Sequence, residues 1–190
     1  MSEGNFQRIL AIHAAPALLG IKCANLISVP ATGKEIVALR DHFLSETQGS
    51  GLRMRVLCGC RERILVYIYH EQLLSMQLGS PEVQAFLQDY GYAEDMTVPE
   101  MLTTLGKRIS CESFPHEIGV FLGYPLADVE GFIRNAGQNC LLCGCWKVYS
   151  EPEHARQTFA TYGRCREYLC DKLEQGVDLY LALQFQEVFS

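Results

Sequence analysis

Three cysteines, the only tryptophan and a lysine fall within eleven residues, Asn139 to Tyr149 (NCLLCGCWKVY). Leu-Cys-Gly-Cys occurs twice, at 57–60 and 142–145. Thiolates are metal ligands and redox groups, and four of them at about 2.3 Å close a structural zinc site. In a strand, residues two apart share a face. Cys143, Cys145, Lys147 and Tyr149 would then point one way, and Leu142, Trp146 and Val148 the other. If the two Leu-Cys-Gly-Cys strands were neighbours, Cys58, Cys60, Cys143 and Cys145 could converge on a metal. Spacing argues against this. Cys-x-Cys on a flat strand sets the sulfurs roughly 6–7 Å apart, long for one tetrahedral ion unless a bulge at Gly59 or Gly144 bends the chain. Cys-x-x-Cys, the usual knuckle spacing, occurs only at Cys140 to Cys143. The reading expects a core strand whose cysteines pack as small hydrophobes.

The histidine-bearing segments are the stronger candidates. HAAP places His13 one turn before Pro16, and GIKCANL follows with Lys22 and Asn25. FPHEIGVFLGYP carries His116, Glu117 and Tyr124. Both segments break helices with proline or glycine, and irregular backbone beside rigid elements is where sites form. Both set polar groups among apolar ones, which is costly unless they are partnered and lets burial tune a pKa. The expectation is one ligand-binding pocket lined by His13, Lys22, Asn25, His116 and Glu117, with Tyr124 at its rim. Imidazole suits proton transfer, metal ligation or axial haem ligation. Ser113 would cap a helix there, leaving free N–H groups that favour an anion. The plainer alternatives are a capping histidine, a surface lysine, a turn asparagine and a first-turn glutamate. A thiol nucleophile is a further option, at Cys111 or at Cys165, whose neighbours Arg164 and Arg166 would lower its pKa if their charges reach it.

The elements that must hold these residues read as follows. Phe6 to Leu19 has helical spacing broken by Pro16. Ala24 to Val29 is a short strand, and TGKEIVALRDHFLSETQG an amphipathic helix ending before Gly49. LRMRVLCG and RILVYIYH are β-rich and close in sequence, so an antiparallel hairpin turns near Cys60 to Glu62. Helices follow over 70–78, from Ser80-Pro81 and from Thr97. Two short helices flank Gly123-Tyr124-Pro125, a strand covers Asn139 to Tyr149, and a long helix runs over 152–175. The C-terminal VDLYLALQFQEVF is helical or a final strand. This is an α+β pattern: a small, mainly antiparallel sheet of about four strands covered by helices, in a single domain, 1–190.

Composition narrows the function classes. The apolar fraction is 48% and the charged fraction 20%, a globular balance. A net charge of −6 disfavours nucleic-acid binding, which needs a basic face. Arg53, Arg55, Arg61 and Arg63 are interrupted by apolar residues and read as a solvated hairpin edge. Ile9 to Ile21 is too short to span a bilayer, so no membrane insertion is expected. Met1-Ser2-Glu3-Gly4 has no basic region before an apolar run, so the expected location is cytoplasmic. Nine cysteines there would be reduced thiols. The sequence has no Gly-x-Gly-x-x-Gly, P-loop, His-Glu-x-x-His or Gly-x-Ser-x-Gly motif.

FPHEIGVFLGYPLADVEGFI, HAAPALLGIKCANLIS, PEVQAFLQDYGY, NCLLCGCWKVY and TYGRCREYLCDKL together resemble a family of anaerobic bacterial proteins, domain of unknown function 3793. The resemblance covers nearly the whole chain. Family members look to be encoded near flavodoxins and iron-uptake components. What it implies is an iron- or redox-linked accessory protein of anaerobic metabolism, binding a metal, haem or flavin-type ligand, with flavodoxin or another redox protein as partner. Two other classes stay open: a small protein-interaction or regulatory module without chemistry of its own, and a cofactor-free enzyme using a histidine or thiol. Where the family pattern more often has an aromatic (Gly-Tyr-Trp-Lys), this chain has Cys145. A site that depended on Cys145 would then be peculiar to this chain.

Overall fold

A computed structural model describes residues 1–60, 63–109 and 114–184. Its centre is β3 (Arg63–His70), hydrogen-bonded antiparallel to β1 (Ala24–Val29) on one side and to β2 (Leu52–Cys60) on the other. Ile64, Val66 and Ile68 of β3 join one buried cluster, with Phe6, Leu10, Phe43 and Leu169. Tyr67 and Tyr69 join the opposite cluster, with Leu74, Leu102 and Phe121. The alternation of the pleat thus feeds two cores. That is why RILVYIYH is nearly all apolar: neither face meets water.

The first core is covered by α1 (Glu3–His13), α2 (Ala15–Leu18), α3 (Gly33–Glu46) and α9 (Pro152–Glu174). The second is covered by α4 (Glu71–Leu78), α5 (Pro81–Gln88), α6 (Val98–Arg108), α7 (Ile118–Phe121) and α8 (Leu126–Arg134). The caps follow the sequence signals. Thr32 and Glu35 close a capping box on α3, and Thr97 and Glu100 do so on α6. Pro81 begins α5 directly after Ser80. The short α10 (Leu179–Leu183) resolves the C-terminal alternative in favour of helix as far as the described residues reach.

The fold class is α+β, with one correction to the sheet. Asn139 to Tyr149 is not a fourth strand of the main sheet. It is a separate hairpin of β4 (Leu142–Cys143) and β5 (Lys147–Val148), turning through Gly144, Cys145 and Trp146. The reason is local. A Cβ on Gly144 would stand 2.2 Å from the Phe159 ring, so only glycine lets the turn press onto α9. The first Leu-Cys-Gly-Cys does lie in the main sheet, where the β2 register shifts between Val56 and Cys58, just before Gly59.

Candidate functional site

The chain reverses just after α1. His13 is its last residue, Pro16 enters α2, and the backbone N–H groups of Ile21 and Lys22 both donate to the Pro16 carbonyl, at 2.9 and 3.0 Å. Gly20 takes the left-handed conformation this return requires, at φ 68°. Lys22 is thereby placed just ahead of β1 and is only 6% exposed. Its ammonium stands 4.9 Å from the Tyr124 ring centroid and 5.5 Å from that of Tyr162. None of the ion pairs among the described residues involves it. Burial lowers its pKa to about 8, against weaker opposing attraction to the Cys23 and Cys145 thiols.

Lys22 lines a cavity of about 180 Å³ with His13, Asn25, Tyr124, Cys145 and Arg166. Asn25 Oδ1 is buried and has no hydrogen-bond partner among the described residues. An orphaned buried acceptor is rare enough to call for an explanation. The cavity therefore presents cationic groups and two tyrosine rings. Burial raises the Tyr124 phenol to about 12 and raises that of Tyr162 as well. Neither phenol is an acid near neutral pH. The Tyr124 hydroxyl donates to the Cys145 carbonyl at 3.3 Å.

The β4–β5 hairpin closes one side of this cavity, and Asp128 on α8 fastens it. Asp128 is 2% exposed. One carboxylate oxygen accepts from Trp146 Nε1 at 2.7 Å. The other accepts from the backbone N–H groups of Tyr149 and Ser150, at 2.7 and 2.9 Å, and from the Ser150 hydroxyl at 2.8 Å. Trp146 then stacks on Tyr124 at 5.0 Å and meets Phe159 edge-on at 4.6 Å. Asp128→Ala leaves those donors unpaired and is expected to cost about 3 kcal/mol. Urea unfolding, with Trp146 fluorescence shifting to the red before the global transition, is the measurement that checks it.

On the other side of Tyr124 lies a second, mostly apolar cavity of about 430 Å³. Phe114, Val129, Phe132 and Trp146 line it, with His116 and Cys143. His116 is exposed and packs edge-on to Phe132 at 5.2 Å. Glu117, 1% exposed, is held by the Arg108 guanidinium and by the Tyr92 hydroxyl at 3.5 Å. It lines a shallower recess with Tyr90 and Arg108.

The six expected residues are thus distributed. His13, Lys22, Asn25 and Tyr124 share the smaller cavity, His116 joins Tyr124 in the larger one, and Glu117 turns to Arg108. His13 and His116 line different cavities, and Tyr124 lines both. Pro115 does not start a helix: α7 begins at Ile118, with Glu117 as its N-cap residue, and Ser113 lies outside the described residues. The sequence reading missed Tyr162, Arg166, Trp146 and Asp128. Tyr162 and Arg166 did carry a signal, since residues four apart share one helix face.

The cysteines are corrected too. Cys143 and Cys145 are exposed rather than in a sheet core, and each opens on a different cavity. Cys58 is half-buried, while the Cys60 side chain and Cys111 lie outside the described residues. Among the described residues no three His, Cys, Asp or Glu side chains gather so as to hold a metal ion. Burial raises the Cys165 thiol despite the opposing pull of Arg164, and Arg166 does not offset it. Burial pushes Cys23 up to about 11. Neither is an activated nucleophile. No helix among the described residues is long and apolar enough to cross a membrane.

Comparison with known proteins gives one family. Residues 10–182 match the model described as "Protein of unknown function (DUF3793)". No curated protein matches, and no solved structure does.

Proposed function

We propose a binding function for this chain, which belongs to the DUF3793 family: it holds a small organic anion at Lys22. The observation that carries this reading is a buried ammonium without a carboxylate partner among the described residues, set in a cavity with room for a ligand. An unpaired buried charge costs several kcal/mol. An anion entering the cavity would relieve that cost, with Arg166 and His13 on the same wall. The fitting ligand is a small carboxylate, its charge set against Lys22 and Arg166.

A second reading follows the resemblance: an accessory protein of iron or redox metabolism that works beside a flavodoxin. The observation in its favour is the larger cavity, whose Trp146, Tyr124 and Phe132 walls suit a flat ring of flavin type. One calorimetric panel separates the two, with acetate, lactate, glycine, phosphate, flavin mononucleotide and haemin added in turn. The anion reading expects lactate or glycine to bind with proton uptake at pH 8.5, because the bound anion restores the ammonium that burial disfavours. Affinity should weaken as pH rises past 8. Binding of flavin or haemin alone, with no anion response, would replace this reading with the second. A protein that takes none of these ligands would be left as an interaction module.

A further inference from the structure

Lys22 carries the one inference that goes beyond binding, and it rests on the anion reading above. We infer that the ligand of the Lys22 cavity is a 2-oxo acid and that Lys22 condenses with its carbonyl to form an imine. The geometry is that of a nucleophilic amine. The side chain is buried between two tyrosine rings, no carboxylate among the described residues holds it in the ammonium form, and space adjoins it. Desolvation in an aromatic pocket is one of the ways a lysine becomes nucleophilic at neutral pH. With its pKa near 8, on the order of a hundredfold more of its amine is unprotonated at neutral pH than of an exposed lysine.

The remaining groups fit the same reaction. Arg166 supplies a guanidinium for the carboxylate. Asn25 lines the same cavity, its Oδ1 covered and without a partner among the described residues. His13 is placed on the cavity wall to carry protons. The balance is simple. The Lys22 nitrogen lone pair attacks the carbonyl carbon, and the C=O π pair moves to oxygen, which takes a proton. The nitrogen, cationic after the attack, supplies that proton. A second proton converts the hydroxyl to water, which leaves as the C=N bond forms. Loss of the remaining N–H proton from the iminium restores the count, with no oxidant or reductant needed. Cys145 lines the cavity as well, and a thiol adds reversibly to the same carbonyl, so the test must tell the two apart.

The test is reductive trapping with pyruvate and cyanoborohydride, read by intact mass and peptide mapping, with lactate binding measured in parallel. The expected result is one reduced adduct per chain at Lys22, lost in Lys22→Arg and kept in Cys145→Ser. Urea unfolding of Lys22→Arg, followed by Trp146 fluorescence, shows whether the variant is folded, so that an adduct missing from a folded variant reports the missing amine. Adducts scattered equally over surface lysines in both wild type and Lys22→Arg would overturn the inference. So would an adduct lost in Cys145→Ser, or binding of pyruvate that leaves nothing to trap. In those cases lactate binding would keep the anion reading standing, whereas failure of lactate and pyruvate alike would remove both.

Discussion

Lys22→Met is expected to fold more stably than the wild type at neutral pH and to lose anion binding in the same step. The folded chain holds Lys22 at about 8, below the ordinary 10.5, because burial disfavours the ammonium. Between those values the unfolded chain binds more protons than the folded one, so wild-type stability rises with pH from about 8 to about 10.5. Below 8 the full cost is present. The 2.5-unit difference between these two values corresponds to about 3 kcal/mol. Methionine removes that cost and fills a similar space, but it forfeits the contacts of the ammonium with the Tyr124 and Tyr162 rings, worth about 1–2 kcal/mol. The net gain at pH 7 is therefore about 1–2 kcal/mol. It should fade as pH climbs through 10.5, well above which the wild-type amine is neutral in both states. Urea unfolding of both proteins at pH 7 and at pH 9.5 reads this directly. A variant destabilised by the same margin at both pH values would show that Lys22 is held by contacts rather than tolerated for its charge. A residue that lowers stability in a cavity is what a binding site looks like when function and stability compete.

Arg108→Ala should be the most damaging single change to the opposite core, at about 3–5 kcal/mol. Glu117 is 1% exposed, and Arg108 is the cation that meets it. Without the guanidinium, the carboxylate keeps the Tyr92 hydroxyl at 3.5 Å, a weak remaining partner. Arg108 itself is 39% exposed, so the loss lies in the stranded Glu117 rather than in the visible ion pair. A second contact goes as well, from Arg108 Nη1 to the Tyr90 carbonyl at 3.3 Å. Arg108→Met combined with Glu117→Leu removes both charges together and is expected to recover most of the loss, as replaced buried pairs do. Chemical denaturation of the single and double variants supplies the comparison. If Arg108→Ala unfolds at the wild-type midpoint, the pair is a surface contact and Glu117 needs another explanation.

What the sequence determined by itself is what short spacings encode. Alternating apolar residues and close spacing made β2 and β3 a hairpin, because a pleated strand has a period of two whatever surrounds it. Ser80-Pro81 and Thr97 marked helix starts, since a cap is settled within four residues. Lys22 and Asn25 stood out because polar groups amid apolar ones must meet something. What they meet was decided only in three dimensions. Tyr162 and Arg166 reach the cavity from α9, far along the chain. Read alone, they are two polar residues on a long helix. Cys143 and Cys145 parted because Gly144 turns the chain between them, a geometry set by the Phe159 ring and by Asp128, and not by the cysteines' own spacing. His116 and His13 stand in segments of similar character, yet Tyr124 stands between their cavities. Local pattern sets which way a side chain points along its own element. Which neighbour it finds depends on the packing of elements distant in sequence, and a site assembled from such elements acquires its composition only at that step.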